Sequence, residues 1–308
     1  MKNLRKTIQS DLLLLLVAAI WGLAFVAQRE GAGYIPPLVF VAIRYILGAL
    51  SLLPVISILD RKRKQEPEYK AKNKALWKGA VPGALVMGST LFFASILQQT
   101  ALEESTAGQA GFITSLYVVL VPLIGILLKR YKPKLINIFT IALAIAGLYF
   151  LCVQGRFEIS RTDYVLIFSA FLYALHIIWI DYFAVRTDPV RLSVLQFAVA
   201  GVLGVLGILI FRVEVRFEDV MTGAIPLLYT GIFSSGVAYT LQVFAQRKTL
   251  ASHAAIIMSM ESVFAAVGGA IFLNEGMSGR AIVGAILMLT AGVVSQLASL
   301  YSVQESIA

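Results

Sequence analysis

Ten apolar runs, each about 18 to 24 residues long, cover most of this 308-residue chain and settle its solvent. At about 1.5 Å of rise per residue, such a run crosses a hydrocarbon core of roughly 30 Å. The runs fall at residues 12–29, 36–58, 78–99, 107–128, 135–152, 163–183, 190–211, 222–245, 253–273 and 279–301. Only 14% of the residues are charged, against about 25% in soluble domains. Lipid gives the backbone no hydrogen-bond partner, so spans of this kind must be helices. The expected fold is therefore an all-α integral membrane protein with ten transmembrane helices. Lys2, Arg5 and Lys6 ahead of the first run imitate a secretory signal, but no small-residue cleavage site follows, and nine further runs do. That run is expected to stay as the first span.

Lys and Arg are distributed unevenly between the loops. With the N-terminus in the cytoplasm, the cytoplasmic segments carry 19 of the 26: Lys2, Arg5, Lys6, Arg61, Lys62, Arg63, Lys64, Lys70, Lys72, Lys74, Lys78, Lys129, Arg130, Lys132, Lys134, Arg186, Arg191, Arg247 and Lys248. The other side carries six, Arg29, Arg156, Arg161, Arg212, Arg216 and Arg280, and Arg44 lies inside a span. This positive-inside bias places both termini in the cytoplasm of a multi-pass protein of the cytoplasmic (inner) membrane. The formal charge of +9 is then a topology determinant, with anionic lipid head groups as a secondary partner. Nucleic acid is not expected. Cys152 is the single cysteine, which excludes an internal disulfide and metal sites built on several thiolates; no cofactor is expected.

The chain repeats itself. A shift of 144 pairs residues 79–125 with 223–269 and gives 13 identities in 47 positions, among them Pro82 with Pro226, Gln98 with Gln242 and Ser115 with Ser259. A shift of 152 sets Asp11 against Asp163, Trp21 against Tyr173 and Pro37 against Pro189. The offset changes in the basic loop after span 2, where an exposed insertion is tolerated. Two halves result, residues 1–153 and 154–308, with five spans in each. An odd number of spans inverts the second copy, and inverted repeats mark alternating-access transporters.

Leu15 to Arg29, LLVAAIWGLAFVAQR, resembles the first-helix pattern of the EamA-like branch of the drug/metabolite transporter superfamily. Phe40 to Leu50, FVAIRYILGAL, resembles its second-helix pattern with the intramembrane Arg44, and Leu250 to Arg280 resembles the ninth helix, ending in Asn274-Glu275. The resemblance extends over almost the whole chain. It implies a five-plus-five fold around a central cavity framed mainly by spans 1, 3, 4, 6, 8 and 9, with spans 5 and 10 outside. Ser262 stands where many relatives have proline, which leaves span 9 without that cause of a bend.

An ionisable group at a helix centre costs about 2.5 to 3.5 kcal/mol on insertion scales, and such groups tend to serve function. Arg44 in span 2 and Glu261 in span 9 both fall near mid-depth, and opposite charges at one depth suggest a pair. Either that pair serves only the fold, or Glu261 faces the cavity, where it binds a cationic group or exchanges a proton. His253, Ile257, Met260, Glu261 and Phe264 recur at three and four residues and form one helical stripe. In the first half Gln109, Ile113, Tyr117 and Leu120 form its equivalent. Tyr117 thus opposes Glu261 across the pseudo-twofold axis, either as a shared site for an amine with an apolar body or as a hydrogen-bond partner.

Aromatic walls with few polar groups suit a small-molecule pocket. The candidate substrate contacts are Trp21, Phe25 and Gln28 in span 1, Gln98 in span 3, Tyr117 in span 4 and Tyr173 and His176 in span 6. Tyr239 and Gln242 in span 8 and Met260 and Glu261 in span 9 complete them. His176 is either a proton relay or an interhelical hydrogen-bonding group. Gly201, Gly204, Gly207, Gly268 and Gly269 permit close helix packing, and Pro82, Pro122 and Pro226 are candidate kinks.

A membrane enzyme would need a nucleophile with its base, a metal cluster or close carboxylates. Two histidines, one cysteine, no HExxH and no Gly-x-Ser-x-Gly argue against one. A channel does not require inverted halves. The reading is a carrier of small organic metabolites, exporting amino acids or related amphiphilic compounds; protonation of Glu261 would make it a proton antiporter, whereas a Glu261 locked to Arg44 would leave a facilitator. Uptake, or multidrug efflux of cationic compounds, is the alternative. Spans 5 and 10 fit either a monomer or a homodimer.

Overall fold

A computed structural model of the chain describes residues 2–63, 69–128, 135–152, 160–276 and 278–305. All ten expected spans are helical. Spans 1 to 3 are α1 (Lys2–Ala32), α2 (Pro37–Arg63) and α3 (Tyr69–Ala101). Span 4 is two helices, α4 (Ala107–Thr114) and α5 (Tyr117–Leu127), and spans 5 to 7 are α6 (Leu135–Cys152), α7 (Arg161–Phe183) and α8 (Pro189–Phe211). After a short helix α9 (Phe217–Thr222), span 8 runs through α10 (Ala224–Leu228), a π-helical stretch Tyr229–Tyr239 and α11 (Thr240–Gln246). Span 9 is again two helices, α12 (Ala251–Met258) and α13 (Glu261–Phe272), and span 10 is α14 (Gly279–Glu305). Eight spans are long and apolar enough to cross a membrane, and Leu135–Phe150 and Gly279–Ser295 are shorter apolar stretches of the other two.

Local chemistry sets the helix ends. The Thr106 side chain accepts the Gln109 amide at 3.0 Å to cap α4, and Ser160 with Asp163 forms a reciprocal capping box on α7. Asp188 caps α8 ahead of Pro189, and Arg212, in the left-handed region at φ 52°, ends it. Much of the basic stretch from Arg61 to Lys78 is helix and not loop, because α2 continues to Arg63 and α3 starts at Tyr69. Lys64, Lys129, Arg130, Lys132, Lys134 and Arg156 lie outside the described residues, as does the expected boundary between residues 153 and 154.

The two inverted five-helix repeats interleave. α2 packs on its repeat equivalent α8, and α6 on its equivalent α14. α1 packs on α13, and the exchanged contact is that of α7 with α4 and α5. α2 packs on the π-helical stretch as α8 packs on α3, and α1 meets span 8 as α7 meets α3. Each pairing returns when the halves are exchanged, which is what a pseudo-twofold axis requires. Close approach relies on glycine at two places. A Cβ on Gly204 would stand 2.8 Å from the Cα of Ala42, where α8 lies on α2. A Cβ on Gly22 would stand 2.7 Å from the Glu261 carbonyl, where α1 lies on α13.

Spans 4 and 9 break at equivalent positions, and neither break has a proline at it. In span 9 the Met260 amide bonds Ile257 O at 3.2 Å and the Ser262 amide bonds Ser259 O at 3.2 Å, a three-residue spacing that tightens the turn. The hydroxyls of Ser259 and Ser262 donate to Ile256 O and Ser259 O, each at 2.8 Å, the serine back-bonding that bends helices. Serines thus produce the bend at Ser262's turn. In span 4 the Leu116 amide bonds Ile113 O at 3.1 Å and the Val118 amide bonds Ser115 O at 3.0 Å.

Candidate functional site

A cavity opens where spans 1, 2, 3, 4, 6, 8 and 9 converge. Trp21, Phe25, Gln28, Arg44, Gln98, Tyr117, Tyr173, His176, Tyr239, Gln242 and Glu261 all line it, so every sequence candidate but Met260 reaches one place. Met260 is buried elsewhere, in a cluster with Ala18, Val118 and Val263. The break at Ser259–Met260 rotates α12 against α13, so the expected continuous stripe does not exist: Glu261 meets the cavity, and Met260 and His253 do not. Ala24, Thr114, Ile177 and Ser234 line the cavity too. Sequence reasoning missed them because Ala, Ile, Ser and Thr are ordinary residues of a transmembrane helix.

Arg44 does not pair with Glu261. Its Nε donates to Ser235 Oγ at 3.1 Å, one terminal nitrogen to Gln28 Oε1 at 2.6 Å and the other to Ser234 Oγ at 3.0 Å. The guanidinium also lies 5.3 Å from the centroid of the Tyr45 ring. The π-helical stretch widens the turn, and both of its consecutive serine hydroxyls reach the same cation. Neutral acceptors from spans 1 and 8 thus hold Arg44, which is 2% exposed.

Glu261, 3% exposed, receives the Ser115 hydroxyl at 3.4 Å. Tyr117, its repeat equivalent, stands beside it, with its hydroxyl turned to the carboxylate and to Ser115. The carboxylate is thus held by neutral hydroxyls and, among the described residues, by no cation. No group of three or more His, Cys, Asp or Glu suited to a metal occurs among the described residues.

Two walls related by the repeat reach the cavity, one through Tyr173 and Gln98 and the other through Trp21 and Tyr239, and their chemistry differs. In one, Ser95 bonds both Tyr45 and Tyr173, the latter at 3.0 Å, and Tyr173 donates to Gln98 Oε1 at 3.2 Å. Gln98 Nε2 then donates to Thr114 at 3.1 Å. In the other wall the equivalents of Tyr45, Ser95 and Tyr173 are Phe197, Tyr239 and Trp21, whose rings touch in the same order at centroid distances of 5.9 and 4.6 Å. One wall is a hydrogen-bonded chain and the other an aromatic stack. Trp21 Nε1 donates to Ser234 O at 3.2 Å. His176 shares a hydrogen bond with Gln196, the repeat equivalent of Arg44, at 2.9 Å.

Each end of the bundle carries one further repeat-related contact. At the N-terminal end His253 Nε2 lies 3.1 Å from Asp11 Oδ1, and its Nδ1 lies 2.8 Å from Ser295 Oγ. At the opposite end Gln109 Nε2 donates to Asp163 Oδ1 at 2.7 Å. Gln109 is the repeat equivalent of His253, and Asp163 of Asp11. Glu275 reinforces the second closure by accepting the Ala107 amide at 3.1 Å.

The description "EamA-like transporter family" matches the chain twice, over residues 8–153 and 160–295. An uncharacterized transporter of Archaeoglobus fulgidus is 30% identical over 95% of this chain and 87% of its own length. A chloroplastic WAT1-related protein of Arabidopsis thaliana is 24% identical over 88% of this chain and 65% of its own. A solved crystal structure superposes with a TM-score of 0.72 at 16% identity, covering 94% of this chain and 96% of its own, and shows the same fold.

Proposed function

The chain belongs to the EamA-like transporter family, and from that premise we propose that it is a secondary carrier of small amine-bearing organic solutes. Amino acids and related amphiphilic compounds fall in that class, and the proposed direction is export across the cytoplasmic membrane. One observation carries this reading. Glu261 is a buried carboxylate that makes no ion pair with Arg44, in a cavity lined by the rings of Trp21, Phe25, Tyr117, Tyr173 and Tyr239 and by the uncharged amides of Gln28, Gln98 and Gln242. A carboxylate in such surroundings attracts a cation, and rings such as Trp21 and Tyr239 accept both an apolar body and an ammonium group.

The same carboxylate supports proton coupling, because amine and proton would compete for it. Release of the amine on one side would then require protonation of Glu261, the exchange that an antiporter performs. Alternating access would open the His253–Asp11 contact at one end and the Gln109–Asp163 contact at the other, in turn. Efflux of cationic xenobiotics is the second reading, favoured by the engagement of Arg44 with Gln28, Ser234 and Ser235, which takes three of the N–H groups that a substrate carboxylate would need.

The test compares metabolites in medium and cytosol of cells expressing the parent chain, Glu261→Gln or an empty vector. A primary or secondary amine enriched outside only with the parent supports the reading. Transport by Glu261→Gln with the rate and pH dependence of the parent would reject it.

A further inference from the structure

Gln242 is buried to 0% exposure, and both its amide nitrogen and its amide oxygen lack a hydrogen-bond partner among the described residues. Leaving a buried polar group unmatched costs folding free energy, and each such group in a native structure needs a reason. Of the side chains that line the cavity, Gln242 alone has two polar ends unmatched among the described residues.

The repeat explains how Gln242 came to be free. Its equivalent Gln98 has both ends matched, the oxygen by Tyr173 and the nitrogen by Thr114. In the second half the position of Tyr173 is held by Trp21, and that of Thr114 by Met258. Trp21 directs its N–H to Ser234 O, and a methionine thioether is a poor acceptor. The same amide therefore stands in both halves, while only the first half has Tyr and Thr at the partner positions.

We propose that Gln242 is a specificity-determining residue that binds an uncharged donor-and-acceptor group of the substrate, a carboxamide above all, while Glu261 holds the substrate's amine. The proposal rests on the reading of the cavity as an amine site. A primary carboxamide offers an N–H and a C=O side by side, which pair with the two ends of Gln242 as amides pair with each other. A carboxylate offers acceptors alone, so it leaves Gln242 Oε1 unmatched, and it brings a second negative charge into the cavity of Glu261. An amine with neither group leaves both ends unmatched. The preferred substrates are thus amino amides and similar amines bearing a neutral carbonyl and N–H, ahead of zwitterionic amino acids.

Calorimetric titration of the purified full-length protein with phenylalaninamide, phenylalanine and phenethylamine tests this. These probes share one aromatic body and one amine. The parent is expected to bind the amide at least about five-fold more tightly than phenethylamine, the effect of two neutral hydrogen bonds, and phenylalanine more weakly than the amide. Gln242→Met should remove the gap between amide and phenethylamine, and retained binding of phenethylamine reports that the variant is folded. Met258→Thr, which restores to Gln242 the partner that Gln98 has, should narrow the gap independently and carries the test if Gln242→Met does not fold. Equal binding of amide and phenethylamine by the parent, or a gap that survives these variants, overturns the proposal. Phenethylamine alone reports on the underlying reading: if none of the probes binds, or if Glu261→Gln leaves phenethylamine unaffected, the amine site itself is rejected and the inference falls with it.

Discussion

The Ser115 hydroxyl lies 3.4 Å from the backbone carbonyl of Ser259, its own repeat equivalent, and 3.4 Å from the Glu261 carboxylate. The point where the two broken spans cross is thus also the support of the cavity's carboxylate. Removing this hydroxyl with Ser115→Ala leaves the apolar packing in place and takes away about 0.5–1.5 kcal/mol of hydrogen bonding. A two- to ten-fold rise in the apparent KM for an amine substrate is expected, with little change in thermal stability. An unchanged KM would assign Ser115 to the helix crossing alone.

Glu261→Gln keeps the shape of the side chain and removes its charge. Amine affinity is expected to fall by about ten-fold or more, the worth of a hydrogen bond to a charged group, and the pH dependence of transport should flatten. Proteoliposome transport with an imposed pH gradient measures both effects.

Arg44 gives the opposite expectation. Its three side-chain partners come from spans 1 and 8, so it ties the two together. Arg44→Lys cannot reproduce the planar fork and should destabilise the fold by about 2 kcal/mol or more, the cost of unmatched buried partners. A lower melting temperature with near-parental amine affinity in the folded fraction would bear this out. A stable protein that has lost amine binding would place Arg44 in the binding function instead.

His253→Gln copies into span 9 the residue that span 4 carries at Gln109. Gln109 bonds Asp163 without any imidazole, so a glutamine at 253 should keep Asp11 engaged. Stability within about 1 kcal/mol of the parent is expected, whereas Asp11→Leu, which strands the buried histidine, should cost about 1–3 kcal/mol. Thermal unfolding in detergent compares the two, and equal losses would show that the histidine itself is required.

Gly22 and Gly292 form a matched pair of helix glycines. A Cβ at Gly22 would collide with backbone atoms of α13 beside Glu261, whereas one at Gly292 meets nothing within 4 Å. Gly22→Ala should lower both stability and transport. Gly292→Ala should raise stability by about 0.5–1 kcal/mol, the ordinary helix preference for alanine. Melting temperatures that shift in the same direction would contradict the close approach of α1 to α13.

The sequence by itself determined the ten spans, the inverted repeat and the aromatic, amide and ionisable residues of the cavity. The physical reason is the solvent: lipid makes polar and ionisable residues costly, so Gln28, Arg44, Gln98, Gln242 and Glu261 stand out from an apolar background. Only the tertiary structure decided which of them answer one another. Arg44 turns to Gln28, Ser234 and Ser235 and not to Glu261, because a hydrogen bond depends on direction and reach within about 3 Å, whereas sequence position gives only depth. The π-helical stretch of span 8 and the tight turns at Ser115 and Ser259 shift the faces that an ideal period of 3.6 residues assigns, which is why Met260 left the cavity. Gln98 and Gln242 are the same letter at repeat-related positions, and one is matched while the other is free. Gln98 is matched because folding brings Tyr173 and Thr114 to its two ends, and Trp21 and Met258 stand at the equivalent positions of the other half.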